Sequence, residues 1–307
     1  MLLNTGIKIF ILVLFCSSFL QGCDKTETTS YKAKSPVSSL TIGLIPEQNI
    51  FNQVERYEPI ANYLSTKLGI KINLKILPRY GNIIKNFSVT GMDGAFFGSF
   101  TYALAHAKLG LEVLARPENM DGTSTYHGVI FVRKDTSIKT AKDMKGKRFA
   151  FVDKATTAGY LLPMQYFKTH GIKKYKLYFK ETYFAGTHED VIDDVLNRRA
   201  DIGAVKNTIF NRLADTDKRI KTELIILETS PEVPENGLAV RKDIDISVKQ
   251  KLKEALLNMH TDSQGKYILE KFGARRFIET TDKDYAPVFE YAREIGLNLS
   301  TYDYMNE

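Results

Sequence analysis

From Leu40 to Leu227 the sequence switches repeatedly between two hydrophobic periods, and this alternation limits the folds open to the chain more than any other feature. Leu40, Ile42 and Leu44 alternate as in a strand, then Tyr57, Ile60, Ala61, Leu64 and Leu68 share one helical face closed by Gly69, and Ile70, Ile72, Leu74 and Ile76 alternate again. The pattern continues with a short helix after Tyr80 carrying Ile83, Ile84 and Phe87, a buried-type strand at 93–97, a helix over 100–109 with Ser99 as candidate N-cap, and a strand at 112–115. The run 126–133 reads as a first crossing between two lobes. Beyond it the pattern predicts a helix at 140–145, a strand at 148–152, a helix over 157–170 that Pro163 either kinks or delays, and a strand at 176–179. Next come a helix at 188–198, a strand at 201–205, a helix at 208–214 and a strand at 223–227. Units of this length predict a mostly parallel sheet covered on both faces. The turn-rich link 230–234 reads as the return crossing before a strand at 237–240, and helices at 246–259, 263–272 and 284–295 finish the chain. With 307 residues, two lobes are expected rather than one.

The N-terminus carries a different signal. Lys8 precedes the apolar run from Ile9 to Phe15, which ends at Leu20-Gln21-Gly22-Cys23; the run is too short to span a bilayer and reads as a signal peptide. Leu-Gln-Gly-Cys resembles a bacterial lipobox, which implies cleavage before Cys23 and acylation of its thiol. The chain has two cysteines, and Cys16 would leave with the signal, so the mature chain would have no disulfide. Residues 24–39 are rich in Thr, Ser and Lys with almost no apolar side chains, the composition of a flexible tether. The expected organisation is therefore 1–22 signal peptide, 23–39 tether, 40–126 plus 236–307 lobe 1, and 127–235 lobe 2 with the crossings.

Charge and motifs exclude several functions. The net charge is +7, from 43 basic and 36 acidic residues, but the lysines are spread along the chain, which gives no nucleic-acid stripe and allows a mild preference for anionic ligands. There is no G-x-S-x-G, no G-x-x-x-x-G-K-[ST], no H-E-x-x-H and no C-x-x-C, and the five histidines are scattered. No metal site, cofactor site or catalytic set is expected.

One stretch has the local make-up of an anion site. Phe151-Val152-Asp153-Lys154-Ala155-Thr156-Thr157-Ala158-Gly159-Tyr160 places two hydroxyl residues and a glycine between a strand and a helix. The first N–H groups of a helix have no partner within it, and its dipole adds about half a positive charge there. Two readings fit these residues: an oxyanion site, or an ordinary N-cap by Thr156 or Thr157.

The order of these and other motifs resembles the PhnD-type substrate-binding proteins of phosphonate, phosphite and phosphate ABC transporters. The resemblance runs from Ile42 to about Leu256 through Gly43-Leu44-Ile45-Pro46, Tyr57-Glu58-Pro59-Ile60-Ala61-Asn62-Tyr63-Leu64 and Asp93-Gly94-Ala95-Phe96-Phe97-Gly98-Ser99-Phe100-Thr101-Tyr102. It continues with Gly146-Lys147-Arg148-Phe149-Ala150-Phe151-Val152-Asp153, Thr156-Thr157-Ala158-Gly159-Tyr160, Phe184-Ala185-Gly186-Thr187-His188 and Asp201-Ile202-Gly203-Ala204-Val205. It implies an α/β, bilobed type II periplasmic-binding-protein fold, two α/β lobes joined by two crossing segments, closing on a small phosphorus oxyanion. On that pattern Thr156, Thr157 and the N–H groups of Ala158 and Gly159 hold the oxyanion from the second lobe. Tyr80 and Tyr126 add phenol donors, Ser99 faces the cleft and His188 is a further donor. Two departures from the pattern bear on selectivity: Ala158 stands where a third hydroxyl is common, and Lys206 precedes Asn207 where an acidic or amide residue is common. A lysine there would repel an aminoalkyl tail. The implied protein is no enzyme. It is exported and lipid-anchored, its soluble body outside the cytoplasmic membrane, and it acts as a monomer with an ABC permease and no nucleic acid. The competing assignment is a sensory module that binds a similar ligand and signals to a membrane partner; a small-molecule transferase on the same fold is a third.

Overall fold

The computed structural model describes residues 37–77, 79–80 and 83–306. The signal peptide, Cys23 and nearly all of the tether lie outside the described residues. The chain enters with β1 (Ser39–Leu44), α1 (Ile50–Leu68), β2 (Lys71–Ile76), α2 (Ile83–Val89), β3 (Gly94–Phe97), α3 (Ser99–Leu109) and β4 (Glu112–Asn119). Local chemistry sets these boundaries. The side chain of Asn49 accepts the Phe51 N–H at the start of α1, and Gly69 ends the helix at φ 69°, a left-handed conformation that costs glycine little.

The chain then passes through β5 (Thr125–Tyr126) into β6 (Gly128–Arg133), β7 (Arg148–Phe151), α4 (Leu162–Thr169), α5 (Tyr175–Tyr178), β8 (Glu181–Phe184) and α6 (His188–Leu196). It continues with β9 (Ile202–Lys206), α7 (Asn207–Thr216), α8 (Lys218–Glu223) and β10 (Leu224–Thr229), and returns through β11 (Val233–Pro234) to β12 (Gly237–Val240). α9 (Ile246–Leu257), α10 (Ser263–Phe272), β13 (Ala274–Glu279) and α11 (Ala286–Glu294) follow.

Two sheets result. The first has the order β13-β4-β12-β3-β1-β2 and the second β10-β6-β9-β7-β8, while β5 and β11 pair with each other, Val233 opposite Tyr126 and Pro234 opposite Thr125. The crossing is this short antiparallel ribbon, and 128–133 belongs to the second sheet rather than to the crossing. The expected mostly parallel sheet is also corrected. β1 runs parallel to β2 and β3, and β7 to β8 and β9, but β12, β4, β13, β6 and β10 pair antiparallel. Strands that enter a sheet from a crossing arrive in the opposite direction, which sequence periodicity does not encode.

Three further expectations change. Residues 176–179 are no strand: Tyr175–Tyr178 forms a helical turn, the Tyr178 hydroxyl donates to the Ala141 carbonyl at 2.9 Å, and the strand is β8, with Glu181 opposite Arg148. The helix over 157–170 begins as a π-helical turn, Thr157–Leu161, and becomes α-helical at Leu162, where Pro163 falls in the first turn and needs no N–H partner. Ser99 is the first residue of α3, not its cap; Gly98 precedes it without a side-chain cap. β13 and α8 were not foreseen, because only Ala274 and Phe277 of β13 and Ile220 of α8 are buried.

Each lobe has its own aromatic and aliphatic core, Tyr57, Leu252 and Phe277 in one, Phe149, Phe151 and Phe167 in the other. A third cluster, including Phe97, Phe100, Tyr126, Phe131, Val152 and Val205, draws on both sheets. The candidate site lies along this shared layer.

Candidate ligand-binding site

The anion turn follows directly from β7. Asp153 accepts the Ala155 N–H on Oδ1 at 2.8 Å, and its carbonyl accepts both the Thr156 N–H at 3.0 Å and the Thr156 hydroxyl at 2.6 Å. The loop folds so tightly over β7 that a Cβ on Gly159 would meet Val152 Cβ at 2.4 Å and Thr156 Oγ1 at 2.8 Å; only glycine fits there. The turn thus presents the N–H groups of a helical start, with Thr157 at its first position.

The first lobe reaches this turn through α3. Phe100 N–H donates to Thr157 Oγ1 at 2.8 Å and the Thr101 hydroxyl to the Ala155 carbonyl at 2.8 Å. The Ser99 hydroxyl donates to the Pro234 carbonyl, so its proton is committed to the crossing strand. Tyr80 is buried and its hydroxyl has no hydrogen-bond partner among the described residues. Its ring meets the His188 ring edge-on, centroids 6.3 Å apart.

His188 opens α6 under a Thr187 cap, its N–H donating to the Glu47 carbonyl at 3.2 Å. Its Nδ1 accepts the Lys206 N–H at 3.2 Å, which leaves Nε2 as the protonated nitrogen and a donor. Lys206, the last residue of β9, is itself buried. Its Nζ contacts Glu235 Oε2 at 2.6 Å, Asn236 Oδ1 at 3.1 Å and Glu47 Oε1 at 3.3 Å, and lies 4.3 Å from the centroid of the Tyr126 ring.

The structure therefore gathers Tyr80, Tyr126, Ser99, Thr157, His188 and Lys206, while the side chains of Thr156, Ala158 and Asn207 and the Cα face of Gly159 make contacts of their own, which leave the N–H groups of Ala158 and Gly159 at the helical start. The Thr156 hydroxyl closes the turn and Gly159 packs on Val152. Asn207 binds His127 in both directions, N–H to carbonyl at 3.0 Å and His127 N–H to Asn207 Oδ1 at 3.1 Å, which locks the ends of β6 and β9. Ala158 faces backwards, into a 240 Å³ cavity lined mainly by apolar groups, among them Leu162, Pro163 and Tyr291, with none of the site's donors. Among the described residues no cluster of His, Cys, Asp or Glu is placed to hold a metal.

Residues 42–285 match the family model for the periplasmic substrate-binding protein of phosphonate ABC transporters. The chain belongs to this family. Among its relatives, the phosphonates-binding periplasmic protein of Escherichia coli K12 is 26% identical over 265 residues, which cover 85% of this chain and 78% of that one. A solved binding-protein component of a phosphonate ABC transporter from Pseudomonas aeruginosa superposes with a TM-score of 0.79 at 22% identity, covering 85% and 87% of the two chains. A Prochlorococcus marinus structure in complex with methylphosphonate gives 0.75 at 24% identity over 84% and 98%. These two likenesses establish the bilobed type II binding-protein fold. Family membership supports the transport assignment over the sensory module.

In a substrate-binding protein the charge on these groups decides what they offer a ligand. Burial pushes the His188 pKa down, Lys206 and Arg212 push it further, and the opposing pull of Glu47 is too weak to reverse this; the ring sits at about 3 and is neutral at physiological pH. Burial raises Glu47, but Lys206, followed by Arg56, His188 and Arg212, overcomes it and holds the carboxyl at about 2. Lys206 follows the same logic in reverse: burial alone would lower it, and Glu235 and Glu47 hold it well above the usual lysine range. Burial also raises the phenols of Tyr80 and Tyr126, in Tyr126 against the pull of Lys206 and of the neighbouring Ser99 and Thr157 hydroxyls. The binding protein therefore offers neutral O–H and N–H donors beside an ion cluster that is already paired. Glu47, Glu235 and Asn236 escaped the sequence reading; the one available signal was their position, in Pro46-Glu47-Gln48 and Pro234-Glu235-Asn236, where acidic and amide residues adjoin otherwise apolar strands.

Proposed function

We propose that this binding protein captures a phosphorus oxyanion (phosphonate, phosphite or phosphate) between the two lobes and delivers it to an ABC permease. The observation that carries the reading is the buried hydroxyl of Tyr80, without a hydrogen-bond partner among the described residues, set beside neutral His188 in a cluster that also holds Tyr126 and the helical start at Thr157. A buried hydroxyl without a partner costs free energy that a ligand oxygen would recover. Neutral donors suit reversible capture, because they replace hydration without a buried counter-charge. The ligand contacts assigned here are Tyr80, Tyr126, Thr157, His188 and the N–H groups of 157–159. The lobes, 40–126 with 236–307 and 127–235, would close about the β5–β11 ribbon.

Lys206 bears on selectivity differently from the simple repulsion that the sequence suggests. Its ammonium already engages Glu47 and Glu235, so a ligand ammonium finds no free carboxylate there. The reading is a preference for phosphite, phosphate or a simple phosphonate over 2-aminoethylphosphonate. Calorimetric titration with phosphate, phosphite, methylphosphonate, 2-aminoethylphosphonate and sulfate tests both claims. Heat from at least one phosphorus oxyanion is expected; silence from all of them ends the oxyanion reading, and tightest binding of the amine ends the selectivity claim.

Acylation of Cys23 would hold this soluble body at the membrane as a monomer. The support is the Leu20-Gln21-Gly22-Cys23 sequence together with a family that is periplasmic. Among the described residues no helix is long and apolar enough to cross a membrane. Replacing Cys23 by Ser should release the protein from the membrane fraction; retention would refute the anchor.

A further inference from the structure

The segment 297–306, which follows α11, leaves the first lobe and runs to the anion turn of the second. Its first half stays with the first lobe: Leu297 N–H donates to the Ala292 carbonyl at 2.8 Å, Lys108 Nζ of α3 to the Ser300 carbonyl at 2.8 Å, and the Tyr302 ring lies 5.8 Å from that of Phe100. Its second half grips the two residues that begin the turn. The Tyr302 hydroxyl donates to the Lys154 carbonyl at 3.1 Å, and Lys154 Nζ donates to the Met305 carbonyl at 2.7 Å. The Asn306 amide uses both ends: Oδ1 accepts the Lys154 N–H at 3.1 Å and Nδ2 donates to Asp153 Oδ2 at 2.6 Å.

These bonds bear on the ligand site through Asp153. Its other carboxylate oxygen accepts the Ala155 N–H, and its carbonyl accepts the N–H and hydroxyl of Thr156. Fixing Asp153 and Lys154 therefore fixes the direction in which the N–H groups of 157–159 point. Oriented donors bind an oxyanion without the cost of ordering them at the moment of capture. The same segment touches α3, whose Phe100 N–H meets Thr157, so it tracks the junction between the lobes on both sides.

We propose that 297–306 is a strap whose Tyr302 and Asn306 are positioning residues for the oxyanion site, holding the Asp153–Lys154 backbone so that the turn is preformed and the closed protein releases its ligand slowly. This inference rests on the oxyanion reading above for its binding arm only. Tyr302→Phe deletes the bond to the Lys154 carbonyl and the hydroxyl's contact with the Tyr160 side chain, and keeps the ring on Phe100. Asn306→Ala deletes two bonds to the turn, and Asn306→Asp keeps the acceptor for Lys154 while setting a second carboxylate against Asp153.

The experiment has two readouts on the full chain. Hydrogen exchange of the ligand-free protein should show the amides of 155–159 exchanging about tenfold faster in Asn306→Ala, with the β1–β3 core and the melting temperature close to wild type; unchanged exchange at 155–159 overturns the strap. Binding kinetics with methylphosphonate and phosphite should show dissociation about tenfold faster in Asn306→Ala, less in Tyr302→Phe and more in Asn306→Asp, with association little altered. Wild-type rates in all three variants also overturn it. A wild-type protein that binds no oxyanion refutes the function and leaves the strap to be judged by exchange alone.

Discussion

The Phe100 N–H of the first lobe donates to the Thr157 hydroxyl of the second at 2.8 Å, so one side chain at the start of the anion turn is held by the opposite lobe. The same hydroxyl lies within hydrogen-bond reach of the Tyr126 phenol, and a ligand oxygen at the turn is a further acceptor that the proposed function provides for this pair of hydroxyls. Lobe closure and ligand contact are then the same event at this residue.

Thr157→Val keeps the shape and removes both roles. The Phe100 N–H loses its acceptor in the closed form and the ligand loses a donor. Oxyanion binding should weaken by roughly 1–3 kcal/mol, and Thr157→Ser should restore most of it. Calorimetry on the two variants checks this, and wild-type affinity in the valine protein would reduce Thr157 to a structural contact.

Lys206 leads to a stability prediction. Lys206→Met strands two buried carboxylates, and breaking a buried pair from one side costs about 3–5 kcal/mol. Adding Glu47→Gln to it removes one of those charges and should recover part of the loss. Urea unfolding of the single and double variants measures both steps; additive losses would mean that Lys206 and Glu47 are not coupled.

The alternation of strands and helices fixed most elements in the sequence because each apolar face is local. Leu40, Ile42 and Leu44 in β1 or Val191, Ile192 and Val195 in α6 declare their period within one element. Strand direction was not legible, since β12 and β6 acquire theirs from where the crossings deliver them. At the site, Thr157 and His188 were legible as residues next to helix starts. Glu47 and Glu235 were not, because their meaning comes from Lys206, 159 and 29 residues away. Tyr302 and Asn306 carry no signal in the sequence for the same reason, since their partners Asp153 and Lys154 lie 148 to 153 residues away.

The acid limb of stability follows from His188 and Glu47. His188 is held at about 3, against 6.5 in the unfolded chain, so below pH 6.5 the unfolded chain takes up a proton that the folded one refuses. This contribution is complete above pH 6.5 and is lost as the pH falls towards 3. Glu47, at about 2 against 4.5, adds stability that is complete above pH 4.5 and is lost as the pH falls towards 2. Urea midpoints should therefore drop from pH 7.5 to 5.5 and drop further by pH 4. His188→Gln should flatten the first step relative to wild type, although His127, lowered by burial, keeps part of it. An equal first step in both proteins would remove His188 as its source.

Tyr80 gives the sharpest separation between holding the fold and holding a ligand. Its ring is packed in the shared core and its hydroxyl has no partner there, so Tyr80→Phe removes an unsatisfied polar group and disturbs little packing. Ligand-free stability should stay level or rise, by up to about 1–3 kcal/mol if the full desolvation penalty is relieved. Affinity for the oxyanion should move the opposite way, falling by roughly 1–3 kcal/mol as one donor is lost. A residue with a purely structural part cannot give that pair of signs. Thermal unfolding without ligand and calorimetry with phosphite or methylphosphonate, run on the same preparation, read the two quantities separately; a variant that binds as tightly as wild type takes Tyr80 out of the site, while a destabilised one means that its hydroxyl is bonded in the ligand-free protein.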